Sequence, residues 1–343
     1  MKTFVIAEIG VNHNGKLALA LELVEKAANA GAHAAKFQTF KADSITAKNT
    51  ATVAYQQVSG AQDQHAMLKD LELSEADHKA VAARCRDLGI EFMSTAFDTA
   101  SLDMLCDIGI RRIKIPSGEV NNEPYLEDCA RRGLPIILST GMANLAEVQR
   151  AVEVVTAGTP ADLPKDPAGL PPLVVLHCTS AYPSPFKDVN LRAMATMARE
   201  LGVPVGYSDH TAGILVPPIA VAMGAIVIEK HITLDRAMPG PDHSASIEPY
   251  ELSDMMQAIA NTETLLGDGT KQVRPIEEEA RRLVRRGLKA ARAMPAGEVL
   301  SLSDIAILRP ATGLSPEYYK SLVGRRLSKA VAPGDPLDYS HFE

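Results

Sequence analysis

The 343-residue chain has no apolar run near the roughly 20 residues that a membrane-spanning helix needs. Its opening run, Phe4-Val5-Ile6-Ala7, stops at Glu8 and is too short for the apolar region of a secretory signal. Cysteine is scarce. Cys85, Cys106, Cys129 and Cys178 stand far apart, with no C-x-x-C pair and no zinc-type cluster. Free thiols in a reducing cytoplasm are the expected state. A surplus of positive charge is also missing: 35 Lys and Arg face 42 Asp and Glu, for a net charge of −7. A nucleic-acid partner is therefore not expected. The one dense basic run, Arg281, Arg282, Arg285 and Arg286, follows Glu277, Glu278 and Glu279 and reads as a solvated helix with charge pairs. No G-x-G-x-x-G follows the first apolar run. Gly10 to Gly15 reads G-V-N-H-N-G, which weighs against dinucleotide binding.

What is present is enough apolar material, 46%, for a large core. The length exceeds what one hydrophobic core usually organises, so one large and one small domain are expected. Over the first ~265 residues a short apolar run, a turn and an amphipathic stretch recur. Candidate strands are Thr3–Gly10, Ala34–Thr39, Glu91–Phe97, Arg111–Gly118, Pro135–Gly141, Leu173–Ser180, Val203–His210 and Ala225–Thr233. Helical spacing runs from Leu17 to Asn29, Ser74 to Asp87, Leu145 to Val155, Leu191 to Leu201, Ile214 to Met223 and Pro249 to Leu266, with Ser74 as an N-cap. Eight strand–helix units in about 250 residues predict an α/β fold, a (β/α)8 barrel over residues 1–268, with a doubly wound open sheet as the rival that the missing glycine motif weakens. A linker, 269–286, and a small, mostly β domain, 287–343, follow.

Two connections are long. Phe40 to Leu73, with Tyr55, Gln56 and Gln57, follows the second strand and lies on the functional side of a barrel, as a candidate cover for the site. Gly158 to Pro172 is proline-rich, precedes the sixth strand, and is expected to be a surface excursion at the opposite end.

Barrel chemistry sits at the C-terminal strand ends. Those ends here carry Glu8; Lys36 and Gln38; Ser94 and Thr95; Lys114, Ser117 and Glu119; Ser139 and Thr140; His177, Thr179 and Tyr182; Ser208, Asp209 and His210; and Glu229, Lys230 and His231. Lys36 and Lys114 with Thr95, Ser117, Ser139 and Ser208 describe an anion clamp for phosphate or carboxylate. His210 and His231 end neighbouring strands and can share one divalent ion, the other positions being left to water or substrate. Glu8 and Glu119, with lysines nearby, are expected to stay ionised and act as bases or as stabilisers of positive charge. Cys178 and His177 are adjacent in a strand, so they face opposite ways and form no catalytic pair. These residues describe a metal-assisted enzyme for a small, anionic, phosphorylated substrate. Two other readings remain: a Schiff-base aldolase using Lys36 or Lys114, and an ice- or sugar-binding protein acting through its C-terminal domain.

Longer motifs carry a resemblance. Ala7-Glu8-Ile9-Gly10 with Asn12-His13-Asn14-Gly15, Lys36-Phe37-Gln38-Thr39, Ser94-Thr95-Ala96-Phe97, Lys114-Ile115-Pro116-Ser117-Gly118-Glu119 and Leu138-Ser139-Thr140-Gly141-Met142 resemble the sialic acid synthase family in order and spacing. So do His177-Cys178-Thr179, Tyr182-Pro183, Gly206-Tyr207-Ser208-Asp209-His210, Glu229-Lys230-His231 and Pro239-Gly240-Pro241-Asp242. The C-terminal piece, with Arg309-Pro310, resembles that family's antifreeze-like domain. The resemblance implies condensation of phosphoenolpyruvate with an N-acylated mannosamine-type sugar, giving a nine-carbon keto acid and phosphate. It implies that Lys36, Thr95, Lys114, Ser117, Ser139 and Ser208 bind phosphoenolpyruvate, and that His210 and His231 hold Mn²⁺ or Mg²⁺. Glu8 would position or deprotonate the attacking water, and Glu119 would stabilise the cationic intermediate. Gln38, Tyr182 and Asp242 would meet the sugar, joined by Arg309 from the other subunit of a domain-swapped homodimer. The neuraminate-type pattern has an asparagine in the loop after strand two, whereas Val58-Ser59-Gly60-Ala61-Gln62-Asp63 has none. The stretch from Tyr55 to Leu73, with Met67-Leu68-Lys69, resembles legionaminic-type synthases, which implies a 2,4-diacetamido-trideoxy sugar as the alternative acceptor.

Overall fold

The computed structural model describes residues 2–46, 64–163 and 166–343. It divides into two compact units, Met1–Gly267 and Asp268–Glu343. In the first, eight parallel strands close into a barrel in sequence order: β1 (Phe4–Gly10), β2 (Ala34–Thr39), β3 (Glu91–Ala96), β4 (Ile113–Ile115), β5 (Ile136–Ser139), β6 (Leu173–Cys178), β7 (Val205–Asp209) and β8 (Val227–His231). The ring closes where β1 pairs β8, with Phe4 opposite Val227 and Glu8 opposite His231.

Every second residue of a strand points into the barrel. The lower inward positions are apolar and pack together: Phe4, Ile6, Ala34, Met93, Ile137, Val174, Leu176 and Val227. The next inward positions up are Glu8, Lys36, Thr95, Lys114, Ser139, Ser208 and Glu229, all buried. The outward positions, among them Val5, Ala7, Ala35, Phe37, Val175 and Ile228, form the larger core beneath the helices. The barrel is thus a packed apolar plug with a polar layer set on top. Gly206 belongs to the plug. A Cβ there would lie 2.5 Å from both Leu176 Cδ2 and the Val227 carbonyl oxygen, so only glycine lets β7 pass between β6 and β8.

Helix Glu75–Leu88 starts as its sequence predicts. The Ser74 hydroxyl accepts from the Asp77 amide, the Asp77 carboxylate accepts from the Ser74 amide, and Gly89, at φ 72°, ends the helix. Helices Leu145–Gly158, Arg192–Leu201 and Pro249–Leu266 stand where the spacing places them, and Val216–Ala222 is shorter than expected. Two further helices, Thr99–Ile108 and Glu123–Arg131, complete the alternation. β4 is cut to three residues because Pro116 has no amide to donate and Ser117–Glu119 tightens into a 3₁₀ turn.

The connection Gly158 to Pro172 is no mere surface excursion. Arg112, just below β4, donates to both Glu91 oxygens at 2.7 and 2.9 Å and meets Asp166 at 2.8 Å. Its guanidinium sits 4.5 Å from the centre of the Phe4 ring. Leu170 packs into the plug. Buried charge needs a partner, and Asp166 supplies it, so this segment closes the floor of the barrel. In the connection after β2, helices Ala42–Ile45 and Gln64–Asp70 are described, and Phe40, Met67 and Leu71 pack on Val11 beside the mouth. Tyr55, Gln56, Gln57 and the segment from Val58 to Asp63 lie outside the described residues.

In the second unit, helix Glu278–Val284 is solvated, with Arg281 and Glu278 3.6 Å apart, as its charge pattern predicts. β9 (Gly287–Ala290) and β10 (Ile305–Leu308) pair antiparallel over a small core of Leu288, Met294, Leu300, Leu322, Leu327 and Leu337. No helix among the described residues is long and apolar enough to cross a membrane.

Candidate active site

The polar layer is a ladder of alternating charge. Lys36 Nζ lies 2.7 Å from Glu8 Oε2 and 3.5 Å from Glu229 Oε2, and Lys114 Nζ lies 3.5 Å from Glu229 Oε1. Two cations and two carboxylates would leave the layer formally neutral, so that each buried charge has one of opposite sign beside it. Hydroxyls complete it. Lys36 donates to Thr95 at 3.0 Å, Lys114 donates to Ser139 at 2.8 Å, and Ser208 donates to Glu229 at 2.9 Å.

Burial pushes the Glu8 carboxyl up to about 7, with Lys36 pulling it down and Glu229 pushing it further up. This corrects the expectation that nearby lysines keep Glu8 fully ionised, because desolvation outweighs them. Burial also opposes the Glu229 charge, but Lys114 and Lys36 outweigh it and hold that carboxyl at about 2. For Lys36 the carboxylates win over burial and raise the pKa; for Lys114 burial wins and lowers it.

Above this layer stand the two imidazoles. His231 ends β8 and His210 follows β7, with ring centres 5.6 Å apart. The Tyr182 ring covers His210 at 4.2 Å and meets His231 edge-on at 5.6 Å. His210 Nδ1 is bonded to the Thr179 carbonyl at 2.7 Å, which turns Nε2 inward, 3.4 Å from the Ser208 hydroxyl. His231 Nδ1 is buried with no hydrogen-bond partner, 3.8 Å from Asp242 Oδ2. Burial lowers the pKa of both rings, so they are neutral at pH 7, the form that ligates metal. Burial raises the Asp242 carboxyl to about 6. No cluster of three or more His, Cys, Asp or Glu suited to a metal stands among the described residues. The donor set is thus two neutral imidazoles, one of them with an orphaned ring nitrogen, and it suits a divalent ion only where water or substrate fills the other positions.

Most of the residues expected from sequence meet here. Gln38 donates to Glu8 at 3.3 Å. Ser117 flanks the clamp, accepting from the Gly141 amide at 2.9 Å and touching Cys178 Sγ at 3.3 Å. His177 Nε2 instead bonds the Val189 carbonyl, so His177 and Cys178 face apart as strand geometry requires. Glu119 is engaged locally, accepting from Asn122 at 2.6 Å on the rim. Arg309 belongs to the second unit, where it is exposed. Glu229, the hub of the ladder, received no role from sequence. Its signal was position: it is two residues before His231 and so shares that inward face.

A closed parallel barrel whose mouth holds buried lysines, hydroxyls and paired imidazoles defines a TIM-barrel protein with a polar, charged mouth. The NeuB family model matches residues 23–271 and the SAF domain model matches residues 285–343. The chain is 49% identical to N,N'-diacetyllegionaminic acid synthase of Legionella pneumophila, across 100% of this chain and 95% of that one. It is 43% identical to N,N'-diacetyllegionaminic acid synthase of Campylobacter jejuni, across 96% of each. Its fold matches the N-acetylneuraminic acid (sialic acid) synthetase of Leptospira borgpetersenii, solved with citrate, at TM-score 0.71 and 34% identity over 82% of this chain and 90% of that one. The chain belongs to the NeuB family.

Proposed function

We propose that the protein condenses phosphoenolpyruvate with an open-chain acetamido sugar, forming a nine-carbon nonulosonic acid and releasing phosphate. The carrying observation is the buried pair Lys36 and Lys114, backed by Thr95, Ser139 and Ser208, directly beneath His210 and His231. Lys36, Lys114, Thr95, Ser117, Ser139 and Ser208 bind the phosphate and carboxylate of phosphoenolpyruvate. His210 and His231 would hold Mn²⁺ or Mg²⁺, which supplies Lewis-acid polarisation of the sugar's aldehyde oxygen. Gln38, Tyr182 and Asp242 orient the acceptor above the enol. Carbon 3 of the enol then bonds to the aldehyde carbon as the carbonyl π pair moves onto the aldehyde oxygen, which takes a proton from water and becomes a hydroxyl. Glu119, which stands on the rim bonded to Asn122, would have to turn inward to face the cation left at carbon 2. Water adds there, Glu8 takes its proton, and phosphate departs with cleavage of its bond to carbon.

The acceptor we propose is the 2,4-diacetamido-2,4,6-trideoxy sugar rather than the neuraminate-type mannosamine. Identity to the two legionaminic acid synthases, 49% and 43%, exceeds the 34% shared with the sialic acid synthetase. The proposed working form is a homodimer in which Arg309 of one copy meets the sugar in the other. Residues 1–267 carry a net charge of −10 and residues 268–343 a net charge of +3, opposite signs that are compatible with such pairing. Exposed Met142, Phe186 and Leu215 on the loops after β5, β6 and β7 offer apolar contact.

The test supplies phosphoenolpyruvate, Mn²⁺ and a panel of acetamido sugars and reads phosphate release and product mass. Phosphate released only with all three, and fastest with the diacetamido sugar, supports the reading. Undiminished turnover after removal of divalent metal contradicts the role of the histidines. The lowered pKa of Lys114 suits a Schiff-base nucleophile as well. Borohydride trapping of a keto substrate would favour that chemistry instead.

A further inference from the structure

Asp209, Thr211 and Lys230 are completely buried, yet none of them faces the barrel mouth. Strand alternation turns Ser208, Glu229 and His231 inward and sends Asp209 and Lys230 to the helix side. There Asp209 and Lys230 stand opposite each other in register. The Lys230 ammonium donates to Asp209 Oδ2 at 2.6 Å and to the Thr211 carbonyl at 2.5 Å. Asp209 Oδ1 in turn accepts from the Thr211 amide at 3.1 Å and from the Thr211 hydroxyl at 2.9 Å. Three residues thus form a closed strap. Two of them flank His210, and the third immediately precedes His231.

Stability alone does not account for the strap. A buried ion pair loses to desolvation much of what it gains by attraction, and apolar residues of the same volume generally serve as well. The best-attested use of such a pair is to fix register. Here the register fixed is that of the two strands whose ends carry the imidazoles. Inside the mouth His210 Nε2 meets the Ser208 hydroxyl and its ring faces that of His231, and its other anchors come from the β6 side: its Nδ1 bonds the Thr179 carbonyl, its carbonyl accepts from the Ser184 amide at 2.8 Å, and the Tyr182 ring lies tilted over it. Between His210 and β8, the side-chain link on the outer face is the strap.

We infer that Lys230 is a positioning residue for the His210–His231 pair, its ammonium tying the Asp209 carboxylate on one side of His210 and the Thr211 carbonyl on the other to the strand that ends in His231. The inference rests on the proposed role of that pair as metal ligands. Partners one layer behind metal ligands typically contribute 10- to 100-fold to affinity.

The test is calorimetric titration of the chelator-treated full chain with Mn²⁺ alone, and separately with phosphoenolpyruvate in the presence of chelator. Lys230→Met is expected to bind Mn²⁺ about 10- to 100-fold more weakly, while its affinity for phosphoenolpyruvate stays within about twofold. Thr211→Val, which removes one hydroxyl from the strap and keeps the ion pair, is expected to lose a few-fold. A cooperatively melting Lys230→Met chain with unchanged Mn²⁺ affinity overturns the inference. So does a loss of Mn²⁺ and phosphoenolpyruvate affinity by the same factor, which marks general loosening of the barrel. If Lys230→Met does not fold, Thr211→Val decides, and unchanged Mn²⁺ affinity in that variant overturns the inference. A wild-type chain that takes up no Mn²⁺ overturns the metal role of the histidines themselves, a result read before any variant is compared.

Discussion

The Glu8 carboxylate and the Lys36 ammonium meet at 2.7 Å with each side chain only 3% exposed, yet burial still holds the carboxyl near 7. A group poised there is half ionised at neutral pH, the condition under which a general base works best. The ionised form is the one that takes a proton from water. Activity therefore rises as pH increases through about 7 and is lost below it. A kcat/KM profile should show one acidic limb near that value. Glu8→Gln should remove the limb and lower kcat by about 10²- to 10⁴-fold, the usual range for a positioned base. An unchanged limb in that variant would assign the titration elsewhere.

Glu229 and Lys36 act on Glu8 with opposite sign, which permits a paired test. Glu229 raises the Glu8 pKa and Lys36 lowers it. Glu229→Gln should move the acidic limb of kcat/KM to lower pH, and Lys36→Met should move it to higher pH. The separation between the two variants is the readout. Limbs that coincide would mean that the ladder does not couple across the barrel.

Lys114 is the second cation of the proposed clamp, bonded to Ser139 and facing Glu229. Hydrogen bonds to charged groups contribute about 1.5–3 kcal/mol. Lys114→Met should therefore weaken phosphoenolpyruvate binding roughly 10- to 150-fold. Mn²⁺ affinity measured without substrate should change little, since no contact ties Lys114 to either imidazole. Titration of both ligands separates these effects.

Much of the mouth was legible because β-strands have a period of two. Once Glu8 and Lys36 were read as strand ends, Phe4 and Ile6 below Glu8, and Ala34 below Lys36, had to face inward with them. What stayed hidden depended on distance in the chain. Glu229 stood in plain view beside Lys230 and His231, but its partner Lys114 projects from β4, four strands away, and no local pattern announces that pairing. Glu8 was expected to be ionised because charge could be read from sequence whereas burial could not. Helices Thr99–Ile108 and Glu123–Arg131 carried signals in their caps, Asp98 and Asn122, that their short apolar spacing did not reinforce. Pro116 shortened β4 for a reason that was visible, the missing amide, and the expected boundary overran it.

The floor of the barrel gives a prediction independent of the chemistry above it. Arg112 is nearly fully buried and engages Glu91, Asp166 and the Phe4 ring at once. Asp166 lies in a proline-rich connection and 54 positions away in sequence, so nothing local marked the pair. Removing the arginine leaves the Glu91 and Asp166 carboxylates without their cation. Breaking such a network typically costs about 3–5 kcal/mol. In a barrel of this size, each kcal/mol corresponds to roughly 2–4 °C in Tm. Arg112→Met should therefore lower Tm by about 10 °C. Asp166→Asn, which keeps the shape and removes one charge, should lower it less, because Glu91 still pairs the guanidinium in two hydrogen bonds. Both variants should retain KM for phosphoenolpyruvate within about twofold at temperatures where they are folded, since the apolar plug separates the floor from the ladder. Calorimetric melting with parallel kinetics checks both halves. A large change in KM with unchanged Tm would mean that the plug transmits strain from the floor to the mouth.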